Sequence, residues 1–112
     1  MSSLTFDQES SGSVVRVRLR GELDLSSASD FERYLSGLEE GTDMHLEIDL
    51  RQLEFIDSTG LRLILSADAR ARIEGGRIRL IRGPETVQRV FRIAGLEERL
   101  DFASEPSGGD EA

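Results

Sequence analysis

The first part of the chain alternates apolar and polar residues in the way that predicts a strand. Over residues 14–20, valine and leucine alternate with arginine, so one face of this strand should be buried and the other exposed to water. Residues 4–9 form another candidate strand, and the serine- and glycine-containing segment 10–13 lies between the two. The pattern predicts a pair of strands joined by a turn.

Helical spacing follows the second strand. Apolar residues recur three and four positions apart in a segment that ends at about Leu38, at Ala28, Phe31, Leu35 and Leu38. Ser26 or Ser27 can cap this helix, because a serine side chain accepts a hydrogen bond from a free N–H group at a helix start. We expect Gly41 to close the unit.

The middle of the chain predicts a strand followed by a long helix. Residues 45–50 alternate as a short strand, and residues 53–56 then lead to a helix from Ser58 to about Glu74, which a pair of glycines ends. The helix is apolar over more than one stripe, at Leu61, Leu63, Ile64, Leu65 and Ala67. This width indicates either contact with another protein or packing between the sheet and a neighbouring helix.

One more strand and helix complete the pattern. Residues 78–81 are strand-like, Pro84 is expected in the first turn of a third helix, and Gly95 should end that helix. The apolar stripe of this helix consists of Val87, Val90, Phe91 and Ala94. Behind the helix we expect packing by Leu96, Leu100 and Phe102.

This order of elements predicts an α/β fold with a mixed, mostly parallel sheet and helices packed against it, because successive parallel strands need crossover helices. The length of 112 residues suits one domain, which we place at residues 1–103. Residues 104–112 contain serine, glycine, proline and acidic residues without an apolar anchor, and they are predicted to form a disordered acidic tail.

Composition narrows the classes of function. The net charge of −8 argues against nucleic acid or an anionic membrane as a partner, since both are held mainly through clustered basic groups. The chain has no cysteine and no lysine, which excludes disulfides, thiolate chemistry and the lysine of a nucleotide-binding loop. No leader or long apolar run occurs, so we expect a cytoplasmic protein.

The main candidate for a functional site is the segment Asp57-Ser58-Thr59-Gly60-Leu61, where a predicted strand leads directly into the long helix. N–H groups at a helix start lack intrahelical partners and lie at the positive end of the helix dipole, so Ser58 stands where a phosphate can be held. The plainer interpretation is that Asp57 or Ser58 only caps the helix and that Gly60 allows close packing. Spacing alone leaves both interpretations open.

At three places the chain resembles the STAS domain, and within it the bacterial anti-sigma factor antagonists. The similarity covers about residues 4–103 and is carried by Gly21-Glu22-Leu23-Asp24, by Asp57-Ser58-Thr59-Gly60-Leu61 and by Val90-Phe91-Arg92-Ile93-Ala94-Gly95-Leu96. In that family a partner that is both anti-sigma factor and ATP-dependent serine kinase phosphorylates the serine after the aspartate. The unphosphorylated form binds this partner and releases the sigma factor.

The resemblance implies a role for particular residues. Ser58 would be the phosphate acceptor, with Thr59 as a weaker rival. The partner surface would consist of Asp24, Asp57, Ser58, Thr59, Gly60, Leu61 and Arg62. It also implies a non-enzymatic protein without a cofactor or metal, a phosphatase that reverses the modification, and a monomer or weak dimer. The alternative role of Asp24 is turn or cap chemistry.

Other functions fit the residues less well. A hydrolase with Ser58 as its nucleophile would need a base within reach, and the single histidine, His45, has no evident route to that role. A receiver domain phosphorylated on Asp57 resembles proteins that use an acidic pair and a lysine, which are missing here. A third possibility keeps the fold without the kinase, as a STAS scaffold subunit of a stress-signalling or lipid-transport complex.

Overall fold

The computed structural model describes residues 4–39 and 45–106 and has a central sheet of five strands. In chain order its elements are β1 (Thr5–Ser11), β2 (Val14–Leu23), α1 (Ala28–Glu39), β3 (His45–Ile56), α2 (Ser58–Ile73), β4 (Arg77–Ile81), α3 (Glu85–Ile93) and β5 (Phe102–Ala103). The strands lie side by side in the order in which they occur, with β1 antiparallel to β2 and every later pair parallel. The predicted α/β fold with a mixed, mostly parallel sheet is confirmed.

One apolar core lies between the sheet and the helices. β2, β3 and β4 contribute buried aliphatic side chains, and Phe31 of α1, Ile64 of α2 and Phe91 of α3 are completely buried against them. The wide apolar surface of α2 belongs to this core, because Leu61, Leu63, Ile64 and Ala67 are buried in it. Packing inside the domain therefore accounts for most of that width.

β3 is one long strand instead of the two segments that the sequence suggests. Its pairing with β2 shifts register between Arg18 and Arg20 and again between Gly21 and Glu22. At the first irregularity Asp49 accepts hydrogen bonds from the backbone N–H of Arg51 at 3.0 Å and from its guanidinium at 3.0 and 2.8 Å. Extra residues on one strand are absorbed as bulges, so pairing resumes beyond them.

The polar face of β2 is not uniformly exposed, which corrects the expectation from its alternation. Arg16 is buried, and its Nε donates to Glu47 Oε1 at 3.0 Å while its Nη1 donates to Glu9 Oε2 at 2.8 Å. Glu9, Arg16, Glu47 and Arg79 stand opposite one another on β1 to β4. Alternating charges in one row across the strands let these side chains cover each other.

The fifth strand and part of the third helix also differ from expectation. Phe102, which the sequence predicts only to pack behind α3, belongs to strand β5 and pairs with Leu80 of β4. Its ring lies edge-on to that of Phe91, with 5.1 Å between the ring centroids. Ala94, assigned to the apolar stripe, is exposed at the C-cap of α3, and Gln88 is buried instead. The side-chain amide of Gln88 accepts from the Gly83 N–H at 2.9 Å and donates to Glu97 at 2.9 Å. Both polar ends of the amide therefore have hydrogen-bond partners, which allows this residue to be buried.

Two predictions lie outside the described residues: the closing role of Gly41 and most of the tail, at 107–112. The boundary between a domain at 1–103 and a tail at 104–112 therefore stays a prediction. Within the described part of the chain, no helix is both long enough and apolar enough to cross a membrane.

Candidate functional site at the start of helix α2

The candidate site lies at the edge of the sheet where β2 and β3 end together. Leu23 pairs with Ile56, the last residue of β3, and the N–H of Asp57 donates to the Leu23 carbonyl at 3.2 Å. The loop from β2 to α1 and the start of α2 consequently meet at one point. This edge is formed by the carboxyl ends of parallel strands, where α/β proteins commonly place their binding loops.

Asp57 joins the two segments through both oxygens of its side chain. Its Oδ1 accepts from the Gly60 N–H at 3.0 Å, which makes Asp57 the N-cap of α2. Its Oδ2 accepts at 3.2 Å from the N–H of Leu25, which belongs to the loop between β2 and α1. The cap interpretation of the sequence thus holds for Asp57, and the same carboxylate also orients the β2–α1 loop.

Ser58 is the first residue of α2 and is exposed. Asp57 already provides the cap, so the hydroxyl of Ser58 is not needed for it. The N–H groups of Ser58 and Thr59 belong to the first turn, have no carbonyl partner within the helix and lie at the positive end of its dipole. Thr59 is only half-exposed, so Ser58 presents the more accessible hydroxyl.

Gly60 allows the close contact that brings these parts together. A Cβ atom at this position would lie 2.8 Å from the Leu23 carbonyl oxygen and 2.9 Å from side-chain atoms of Leu23 and Ile56. The carbonyl of Leu23 is the same one that accepts from Asp57. Any larger residue would therefore push α2 away from the ends of β2 and β3.

Asp24 lies in the loop that Asp57 contacts through Leu25. Its Oδ1 accepts from the hydroxyl of Ser26 at 2.7 Å and from the Ser26 N–H at 3.0 Å, and the hydroxyl bond is the main cause that lowers the pKa of Asp24. Ser27 is fully buried, where its hydroxyl donates to the Glu22 carbonyl at 2.9 Å and accepts from the Asp24 N–H at 3.0 Å. The turn role expected for Asp24 is therefore present.

The remaining predicted site residues divide by burial. Leu61 is buried with the core, so it supports the site from beneath, whereas Arg62 is exposed on the first turn of α2. Two exposed apolar residues beside the site were not singled out from the sequence: Leu25 and Phe55, which are 76% and 49% exposed. An apolar residue in or next to a strand is normally expected to be buried, so only the exposure of these two side chains in the folded structure reveals them.

Ser58 and the one histidine of the chain lie at different places in the fold. His45 is the first residue of β3 and Asp57 follows the last, so the single histidine lies at the opposite end of the strand from Ser58. Among residues 4–39 and 45–106, no group of three or more histidine or acidic side chains is arranged to hold a metal ion.

The sheet is parallel except for one antiparallel edge strand, and an exposed serine follows a capping aspartate. Comparison with known protein families shows the class to which a domain of this kind belongs. The family model described as "Mlab, STAS domain" matches residues 6–102. The chain belongs to the STAS domain family.

Particular relatives are similar over nearly the whole chain. The anti-sigma-B factor antagonist of Bacillus subtilis is 30% identical over 108 residues, which is 96% of this chain and 97% of the relative. The solved structure of the anti-sigma factor antagonist SpoIIAA in its unphosphorylated form superposes with a TM-score of 0.75 at 27% identity and covers 90% of each chain. That of the Bacillus cell fate determinant SpoIIAA in its phosphorylated form has a TM-score of 0.68 at 26% identity and covers 90% of this chain and 93% of the other.

Proposed function

We propose that this protein is an anti-sigma factor antagonist whose binding to an anti-sigma factor is controlled by phosphorylation of Ser58. The observation that carries the proposal is the exposed Ser58 at the start of α2, directly after a capping aspartate. Two relatives named as antagonists support the partner class, and the solved structures of SpoIIAA in two phosphorylation states support a switch. The role requires a cytoplasmic protein.

The chemistry of the modification belongs to the partner. The anti-sigma factor acts as a serine kinase that brings ATP and magnesium to the site. The Ser58 oxygen forms a bond to the γ-phosphorus, the bond from that phosphorus to the bridging oxygen of ADP breaks, and a base of the kinase takes the hydroxyl proton. Exposure of Ser58 makes this approach possible, and a separate phosphatase reverses it by hydrolysis.

The added phosphate changes binding without unfolding the domain. Phosphoserine carries a charge of about −1.5 to −2, and the free N–H groups of Ser58 and Thr59 are available to its oxygens. Asp57 beside it, together with the nucleotide phosphates that the kinase holds against this surface, adds like charge across the interface. Such repulsion can cost several kcal/mol, enough to change the bound fraction substantially.

A titration of three variants with purified anti-sigma factors tests the proposal. Ser58→Ala should bind constitutively and gain no mass with ATP, whereas Ser58→Asp should bind at least about tenfold more weakly. Ser66→Ala is the matched control, because Ser66 is also exposed on α2 but lies two turns away, and it should behave like the unmodified chain. Equal affinity of Ser58→Ala and Ser58→Asp would contradict the switch and favour a scaffold role.

A further inference from the structure

The described residues expose four large apolar side chains, and their positions divide them into two pairs. Leu25 and Phe55 are 76% and 49% exposed, and Ile73 and Ile93 are 84% and 76% exposed. Single exposed apolar residues are ordinary on a protein surface. Their grouping is informative here, because one pair lies beside Ser58 and the other pair lies at the opposite end of the molecule.

Leu25 and Phe55 stand on the two segments that Asp57 joins. Leu25 donates its N–H to Asp57 Oδ2 at 3.2 Å, and Phe55 lies two residues before Asp57 and pairs with Glu22 of β2. Their backbones are thus held by the same contacts that present Ser58. Because the backbone is already fixed, a partner that covers these side chains needs to restrict only their rotamers.

The charge around these two residues is predominantly negative. Segments 21–28 and 53–62 contain four carboxylates, at Glu22, Asp24, Glu54 and Asp57, and one arginine, the exposed Arg62. On the sheet face, in contrast, arginines pair closely with acidic residues. The surface around these two apolar residues complements a partner with an apolar socket bordered by basic side chains.

We propose that Leu25 and Phe55 are the apolar anchors through which the anti-sigma factor docks on the acidic surface around Ser58. This inference rests on the proposed function and goes further by naming the residues that supply affinity independently of phosphorylation. The two side chains enter an apolar socket of the partner, and the surrounding carboxylates meet its arginine or lysine side chains. Ser58 then faces the nucleotide, at the centre of the contact.

The other exposed pair provides matched controls. Ile73 is the last residue of α2, and 16 residues of helix separate the two ends of α2 by about 22 Å. Ile93 is the last residue of α3, which also crosses back between parallel strands and therefore ends at the same side of the sheet as α2. Both isoleucines are as exposed as Leu25 but far from Ser58.

The experiment uses the Ser58→Ala chain, so that phosphorylation cannot alter the result. Leu25→Ala and Phe55→Ala are added singly, and affinity is measured by titration with the anti-sigma factor from the same genome that binds Ser58→Ala most tightly. Each should weaken binding at least about fivefold, while Ile73→Ala and Ile93→Ala should stay within about twofold. Leu25 is so exposed that its truncation should leave the thermal unfolding midpoint unchanged, which separates lost contact from lost fold.

Several outcomes would overturn the inference. Unchanged affinity of both Leu25→Ala and Phe55→Ala, with a clear difference between Ser58→Ala and Ser58→Asp, would reject the anchors and keep the proposed function. Equal loss of affinity in the isoleucine controls would show an unspecific effect and would also reject Leu25 and Phe55 as anchors.

Sedimentation of the chain alone tests whether a second copy of the chain occupies this surface: a dimer that Leu25→Ala dissociates would assign the surface to self-association. If no anti-sigma factor binds, both proposals fail together.

Discussion

At the scale of single residues, Asp57 holds the candidate site together. One oxygen of its carboxylate caps α2 and the other accepts from Leu25, while its backbone N–H donates to Leu23. From the sequence alone, the cap and the phosphate site are competing interpretations. The structure shows that they are compatible, because the neighbour of Ser58 performs the capping and leaves the serine hydroxyl exposed.

Replacement of Asp57 should therefore affect stability and loop position together. We expect Asp57→Ala to lower the free energy of unfolding by about 1–2 kcal/mol, because two backbone N–H groups lose their acceptor. Asp57→Asn should lose less, since asparagine is also a good N-cap residue. Urea unfolding measures both, and an alanine variant as stable as the unmodified protein would show that neither hydrogen bond matters.

Gly60 gives a second prediction at this scale. Gly60→Ala should lower the free energy of unfolding by about 1–3 kcal/mol, because its new methyl group would collide with the backbone of Leu23. Gly37→Ala is the control: Gly37 lies in α1, and a Cβ there meets nothing within 4 Å. That change should stabilise the protein by up to about 1 kcal/mol. Thermal or urea unfolding compares the two, and effects of the same sign would contradict the packing argument.

At the scale of elements, the sheet has an apolar face and a face built from paired charges. On the second face Arg16 and Glu47 are buried together, with Glu47 only 3% exposed. Removing two charges from water is costly, and the cost is recovered only when each partner is present. The arginine alternation of β2 thus has a structural meaning beyond simple exposure.

A double-mutant comparison tests this charged pair. Arg16→Met should lower the free energy of unfolding by about 3–5 kcal/mol, because the buried Glu47 would lose the charged hydrogen bond from Arg16 Nε. Adding Glu47→Leu should restore much of the stability, since the buried charge is then absent as well. If denaturant unfolding showed that the loss in the double variant equals the sum of two large single losses, the two residues would not be coupled and the argument would be wrong.

At the scale of the whole molecule, the free energy of unfolding at low pH should depend on the carboxylates whose ionised form is favoured by the fold. Burial disfavours the charged form of Asp49, but hydrogen bonds from Arg51 and the charges of Arg51 and Arg18 outweigh it, so the pKa of Asp49 is lowered. A lowered pKa in the folded state means that the unfolded chain binds the proton more readily. The contribution is therefore present above the unfolded pKa of about 3.9 and is lost as pH falls through the folded value.

Asp49→Asn provides the corresponding measurement. The unmodified protein should lose free energy of unfolding as pH falls below about 4. Asp49→Asn should be less stable at pH 7, because it lacks the ion pair with Arg51, and its stability should fall less steeply in acid. Urea unfolding at a series of pH values checks the slope, and parallel curves for the two proteins would show that Asp49 makes no contribution to it.

The elements that sequence patterns predicted well are those with a regular period of their own. The sequence predicts that the long helix from Ser58 ends near Glu74, and the helix ends at Ile73, because apolar spacing and the following glycines mark its end locally. β5 was missed, since two residues cannot display an alternation and their strand exists only through pairing with β4. Gln88 was missed as a buried residue because the groups that satisfy its amide come from other segments.

The sequence by itself determined the α/β order of elements, the family resemblance and Ser58 as the candidate acceptor, because hydrophobic period and short motifs are properties of neighbouring residues. Only the tertiary structure decided that Asp57 holds the loop of Leu25, that Arg16 is buried with Glu47, and that Leu25 and Phe55 are exposed. These features depend on which segments the sheet brings together. Hydrogen bonds and burial between distant residues cannot be deduced from the local pattern of either segment.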